Sequence, residues 1–182
     1  DVESAGLALI SLVVVDAGIQ IWNNAQLTSL GEGFANLESV GTDIYGFSFD
    51  IRYNPVLTSI SGLVGKIRGA IPGSLTVKNN AALTSLDGFN AVTSVGCDTF
   101  AGFSFFIIEN GALTSIAGLG GVEGEVPGRI VILDNPALAS LDGLQGMTAA
   151  YTSQFDKAHS PYSLELSGGS ACALQELCEG SK

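Results

Sequence analysis

The chain has 182 residues, 46% of them apolar and only 14% charged, with a net charge of −11. That length suits one domain with a substantial core, and the apolar content excludes a disordered chain. Nucleic acid and anionic membrane reward clusters of Lys and Arg, and the seven basic residues here stand singly except for Lys66 and Arg68, so both are set aside as partners.

The first feature in chain order is the apolar run Leu7–Val15. It is too short for a membrane span of ~20 residues. It also lacks a basic flank and follows Asp1 and Glu3, which is wrong for a signal peptide. Within it, Leu9-Ile10-Ser11-Leu12 matches Leu37-Glu38-Ser39-Val40 and Val92-Thr93-Ser94-Val95, segments that lie just before later strands. The chain is therefore expected to begin in mid-coil, as a mature or trimmed product.

A repeat then runs through most of the sequence. Asn24, Asn54, Asn80, Asn110 and Asn135 open the phrases NAQLTSL, NPVLTSI, NAALTSL, NGALTSI and NPALASL. Before each Asn stand two apolar residues at fixed offsets: Ile19/Ile21, Phe49/Ile51, Leu75/Val77, Phe105/Ile107 and Ile130/Ile132. Alternation of this kind predicts a short strand with one face inward. Self-similarity at such a period predicts a solenoid, because one unit cannot bury its own apolar face and stacks on copies of itself. Stacked Asn amides are expected to form a ladder that satisfies the backbone groups of the turn.

Three more inward rows follow from the same alignment. They are Leu27, Leu57, Leu83, Leu113 and Leu138; then Leu30, Ile60, Leu86, Ile116 and Leu141; then Phe34, Leu63, Phe89, Leu119 and Leu144. The Asn spacings are 30, 26, 30 and 25 residues, so long and short coils alternate. The long coils share GFSF at Gly46–Phe49 and Gly102–Phe105. The short coils share Ile71-Pro72-Gly73 and Val126-Pro127-Gly128. Duplication of a two-coil unit explains the alternation.

The strand-and-turn segment Φ-x-Φ-x-x-N-x-x-L resembles that of leucine-rich repeats. Its continuation L-T-S-Φ-x-G-Φ, with SVG before the next strand, resembles the receptor L-domain group over roughly residues 9–166. The resemblance implies a mainly β chain: a right-handed β-solenoid of about six leucine-rich-repeat-like coils over about 9–167, with a short C-terminal cap at 168–182, all one domain. Relatives of that group stand at cell surfaces, which implies a secreted or cell-surface protein.

Two cysteines, Cys172 and Cys178, follow the last recognisable strand at Leu164/Leu166. A disulfide between them would close the open end of the solenoid in an oxidising compartment. Two buried thiols in a terminal helix are the alternative. Cys97, where the sister coil has Thr42, reads as a small buried hydrophobe without a partner.

Catalytic chemistry finds little foothold. The single histidine, His159, lies outside the repeats, and neither G-x-S-x-G nor a zinc or EF-hand spacing occurs. No enzyme activity and no cofactor are expected. Outward positions are more informative. Between the inward strand residues stand Gln20, Asp50, Thr76, Phe106, Val131 and Glu165, followed by Trp22, Arg52, Lys78, Ile108, Leu133 and Ser167. Phe106, Ile108, Val131 and Leu133 fall on adjacent coils, and with Trp22 they are the expected partner-binding surface, for a protein partner or for self-assembly. The competing reading is that a tail carrying Tyr151, Phe155 or Tyr162 folds back over them. A second surface is the hydroxyl row Thr28, Thr58, Thr84 and Thr114, whose ~4.8 Å repeat would suit a periodic target such as a glycan or ice. Its plainer reading is strand propensity, with the neighbouring serines satisfying turn backbone.

Overall fold

Alternating apolar residues and a polar turn every 25 to 30 positions produce stacked rungs. The computed structural model describes residues 14–31, 34, 36–63, 67–149, 153–154 and 164–166, with 148–149, 153–154 and 164–166 as backbone only. Five rungs lie side by side in parallel: β2 (Ile19–Trp22), β4 (Phe47–Arg52), β6 (Ser74–Lys78), β8 (Phe103–Ile108) and β10 (Arg129–Leu133). Their register pairs like with like. Ile19 faces Phe49, Phe49 faces Leu75, Leu75 faces Phe105, and Phe105 faces Ile130.

Opposite this sheet lie three small parallel pairs. They join β1 (Val14–Val15) to β3 (Ser39–Val40), β5 (Gly69–Ile71) to β7 (Val92–Val95), and β9 (Gly124–Val126) to β11 (Met147–Ala149). The chain is thus mainly β, its parallel sheets stacked as a β-solenoid of about four turns.

The inward rows form the core. From β4 to β10 the paired strand residues are all at most 1% exposed, and Leu57, Leu83 and Leu113 are wholly buried. The end coils bury the same positions less completely: Ile19, Ile21, Leu27, Leu141 and Leu144 are half-buried, having a neighbour on fewer sides. Two further inward rows come from the segments before each strand, Leu37, Ile67, Val92 and Val122, then Val40, Ile71, Val95 and Val126. Phe49 and Phe89 meet edge to face at 5.2 Å in the middle of the core.

The Asn ladder spans all five coils. The Nδ2 groups of Asn24, Asn54, Asn80 and Asn110 each donate to the Oδ1 of the next Asn, at 3.0, 3.1, 3.3 and 3.1 Å. The same oxygens also accept the preceding Asn's backbone N–H. A second Nδ2 bond runs back to the previous coil: Asn54 to Ile21, Asn80 to Ile51, Asn110 to Val77 and Asn135 to Ile107. Each buried amide is thereby satisfied on both sides. The residue before every Asn is left-handed: Asn23, Tyr53, Asn79, Glu109 and Asp134 have φ between 53° and 59°.

Two expectations are corrected. Leu164–Leu166 forms a strand, but it pairs antiparallel with β10, so parallel stacking ends there. Val131 still faces Glu165 as the alignment expected; a period of two fixes which residues share a face and is blind to strand direction. Cys97 is disulfide-bonded, so it is not an unpaired small hydrophobe. Spacing along the chain cannot reveal a covalent partner brought close by coiling, and the only other cysteines, Cys172 and Cys178, lie outside the described residues. So do the expected cap at 168–182, the Leu9–Leu12 segment, His159, Ser167, and Tyr151, Phe155 and Tyr162.

Candidate functional site

The outward rows assemble in the expected register. Gln20, Asp50, Thr76, Phe106 and Val131 form one, and Trp22, Arg52, Lys78, Ile108 and Leu133 the next. Their exposure corrects the expected open apolar patch. Val131 and Ile108 are buried, Phe106 and Leu133 are half-buried, and only Trp22 of the five is exposed. Outer side chains cover one another: Phe103 lies 4.6 Å from Phe106, and the Arg129 guanidinium sits 4.8 Å above Phe103.

Polar members of these rows are also enclosed. Asp50 has no exposed surface and receives a two-pronged grip from the Arg52 guanidinium through Nε and a terminal nitrogen. Arg52 in turn stacks 4.6 Å from Trp22 and 5.8 Å from Phe47. The hydrogen bonds to Asp50 hold the Arg52 pKa above its ordinary value.

The alternation of coils shapes what lies above this face. Each long coil carries a loop organised by an aspartate before its GFSF strand. Asp43 accepts the N–H groups of Tyr45 and Phe47 at 2.8 and 3.0 Å, and its second oxygen accepts Gln20 at 2.7 Å. Asp98, buried, accepts four N–H groups, from Phe100, Ala101, Gly102 and Phe103. The short coil between them has only the turn at Pro72-Gly73. The two long loops therefore meet across it, where Thr99 N–H donates to the Tyr45 carbonyl at 2.8 Å. Gly46 makes that approach possible: at φ +85°, its missing Cβ would sit 2.9 Å from both Asp98 Cα and Thr99 N.

A hollow of about 240 Å³ is left over the short strand β6. Phe47, Phe100, Phe103 and Phe106 wall it, and Arg52, Thr76, Lys78 and Asp98 supply its polar groups. Of the expected partner-binding residues only Phe106 reaches it. The aspartate loops were missed as site elements, although the G-x-D before each GFSF was the signal that would have found them. Beyond the hollow, the two touching loops hold Ile44 (86% exposed), Tyr45 and Phe100 (81%) out to solvent.

The hydroxyl rows behave as two different things. Thr28, Thr58, Thr84 and Thr114 are all exposed, and each later hydroxyl donates to the carbonyl of the Thr one coil back, at 2.9, 3.4 and 3.0 Å. The serines turn away and accept the N–H two residues on: Ser59 from Ser61, Ser85 from Asp87, Ser115 from Ala117, and Ser140 from Asp142. Around the threonines the exposed corner positions Ala25, Pro55, Ala81, Gly111 and Pro136 carry no charge.

Among the described residues no helix is long and apolar enough to cross a membrane. In comparisons with protein-family models, curated proteins and solved structures, the chain matches none.

Proposed function

We propose that this chain is a non-enzymatic, secreted or cell-surface module of the leucine-rich-repeat or receptor L-domain kind, which works by holding a protein partner or building an assembly. In this reading the wrap is right-handed. The observation that carries it is the pair of touching loops with Ile44, Tyr45 and Phe100 exposed together, two of them by more than four-fifths. Large apolar and aromatic side chains left in water on a fixed scaffold are the material of interface cores. The rigid solenoid below holds those loops at a set distance, which keeps the ordering cost of binding low. Neither nucleic acid nor a metal enters this reading.

The test is Ile44→Asp with Phe100→Asp, read by mass measurement of the native species at dilute concentration and by partner capture. Loss of assembly or capture with an unchanged thermal unfolding curve supports the reading. A native chain that is a clean monomer and captures nothing sinks it. The exposed, uncharged threonine face favours a second reading, attachment to a periodic surface such as a glycan or ice. Thermal hysteresis or glycan pull-down that disappears on replacing Thr58 and Thr84 would select it.

A further inference from the structure

The hollow over β6 has a polar imbalance that identifies a ligand class. Among its charged groups, Arg52 is committed to Asp50, and the Asp98 carboxylate is committed to four backbone N–H groups. Lys78 is not so engaged. Its ammonium has three donors, and its ion pair with Glu109 is 3.4 Å long, beyond the usual length of a charged hydrogen bond. Thr76 is the second open group. It is 3% exposed, and its Oγ1 is buried with no hydrogen-bond partner among the described residues. Buried hydroxyls without partners are uncommon in folded proteins, and each calls for an explanation. Two donors thus stand two residues apart on one strand, and both lack a good acceptor. The remaining wall is apolar and aromatic. The volume is below the ~300–1,000 Å³ of pockets for drug-sized molecules, which leaves room for one ring.

The geometry points to a binding site for a small planar ring bearing one carboxylate, the ring between the phenylalanines and the carboxylate on Lys78 and Thr76. A carboxylate accepts at both oxygens and so satisfies both donors at once, a turn of the Thr76 side chain about χ1 bringing its buried hydroxyl out to the ligand. The ring fills the space that four phenylalanines line, where offset or edge-to-face contacts are favourable. Phe100 stands at the lip, largely exposed, and the ligand would give it an apolar surface to close on. This site goes beyond the partner-binding reading, and its success or failure is scored without the loop-tip variants.

The experiment is calorimetric titration of the full chain with benzoate, benzamide and acetate at low salt. Benzoate is expected to bind saturably with one site per chain, with benzamide and acetate each at least about ten-fold weaker. Thr76→Val, which keeps the shape of the side chain, and Lys78→Met, whose site is half exposed, are each expected to weaken benzoate by about ten-fold or more, the worth of a lost hydrogen bond to a charged group. Both variants are first checked for an unchanged circular dichroism spectrum. Absence of benzoate binding by the folded native chain would overturn the assignment. So would equal binding of benzamide, or benzoate affinity unmoved by both substitutions.

Discussion

Asn80→Ala tests the ladder where it is most enclosed. The Asn80 side chain is wholly buried and makes four hydrogen bonds: its Oδ1 accepts the N–H and Nδ2 of Asn54 at 3.2 and 3.1 Å, and its Nδ2 donates to the Ile51 carbonyl at 3.0 Å and to Asn110 Oδ1 at 3.3 Å. Some of these partners keep other bonds. Asn54 Nδ2 retains the carbonyls of Ile21 and Arg52, and Asn110 Oδ1 retains the Asn80 N–H. The Asn54 N–H and the Ile51 carbonyl lose the amide that served them. Two buried groups deprived in this way, at ~1–3 kcal/mol each, put the cost at roughly 2–6 kcal/mol. Asn24→Ala is the control. Its half-buried side chain donates to the Trp22 carbonyl and Asn54 Oδ1 at the end of the stack, where water can replace it, so the loss is about 1 kcal/mol. Urea unfolding of the two variants against the native chain, with equal slopes confirming that the same structure is lost, measures both. An Asn80→Ala cost no greater than that of Asn24→Ala would refute the account of the amides as satisfiers of buried backbone.

Three further outcomes are expected. Tyr53 is held at φ 59° where sister coils have Asn23 and Asn79, so Tyr53→Asn is expected to stabilise by up to ~1 kcal/mol, seen as a raised Tm; a lowered Tm would show that Tyr53 contributes packing instead. Gly46→Ala is expected to cost about 2 kcal/mol or more, because a Cβ there meets Asp98 and Thr99 backbone at a strained φ, with faster hydrogen exchange at the Thr99 amide as its local sign. Peptide mapping without reduction is expected to find Cys97 in a cross-linked peptide that reduction releases; a Cys97 alkylated in the unreduced native chain would contradict the bond.

The inward half of this molecule was readable from residues alone, and the outward half was not. Rows such as Leu57, Leu83 and Leu113 recur in identical phrases because each must fit between copies of itself, so burial writes its own period. The same alignment also named the correct neighbours on the outer face, Phe106 beside Val131 and Ile108 beside Leu133. Their exposure was misjudged because outer side chains cover one another, Phe103 against Phe106 and Arg129 over Phe103, and alternation alone does not show that. Thr99 reaches Tyr45 over an entire short coil, and no spacing announces that. The left-handed positions were half legible: three of five carry Asn or Asp, residues tolerant of that conformation, while Tyr53 and Glu109 disguise the row. Asp43 and Asp98 share only the short G-x-D signal, and the backbone they gather became visible only once the chain was folded. The hollow depends on both, since without the ordered loops nothing would overhang β6.

The ladder also has a direction. Every amide oxygen points toward the preceding coil and every Nδ2 bond along the row points toward the next, so the side-chain dipoles from Asn24 to Asn135 line up head to tail. Hydrogen bonds in such a series polarise one another, as peptide groups do along a helix. One face of the stack therefore presents acceptors and the other donors. A coil can be added between existing ones only in the same orientation, since a reversed coil would set oxygen against oxygen. Lengthening this body by a long and a short coil together would preserve both that polarity and the overhang above the short strand. Inserting a lone coil would keep the polarity but destroy the overhang, so the natural unit of growth is the pair.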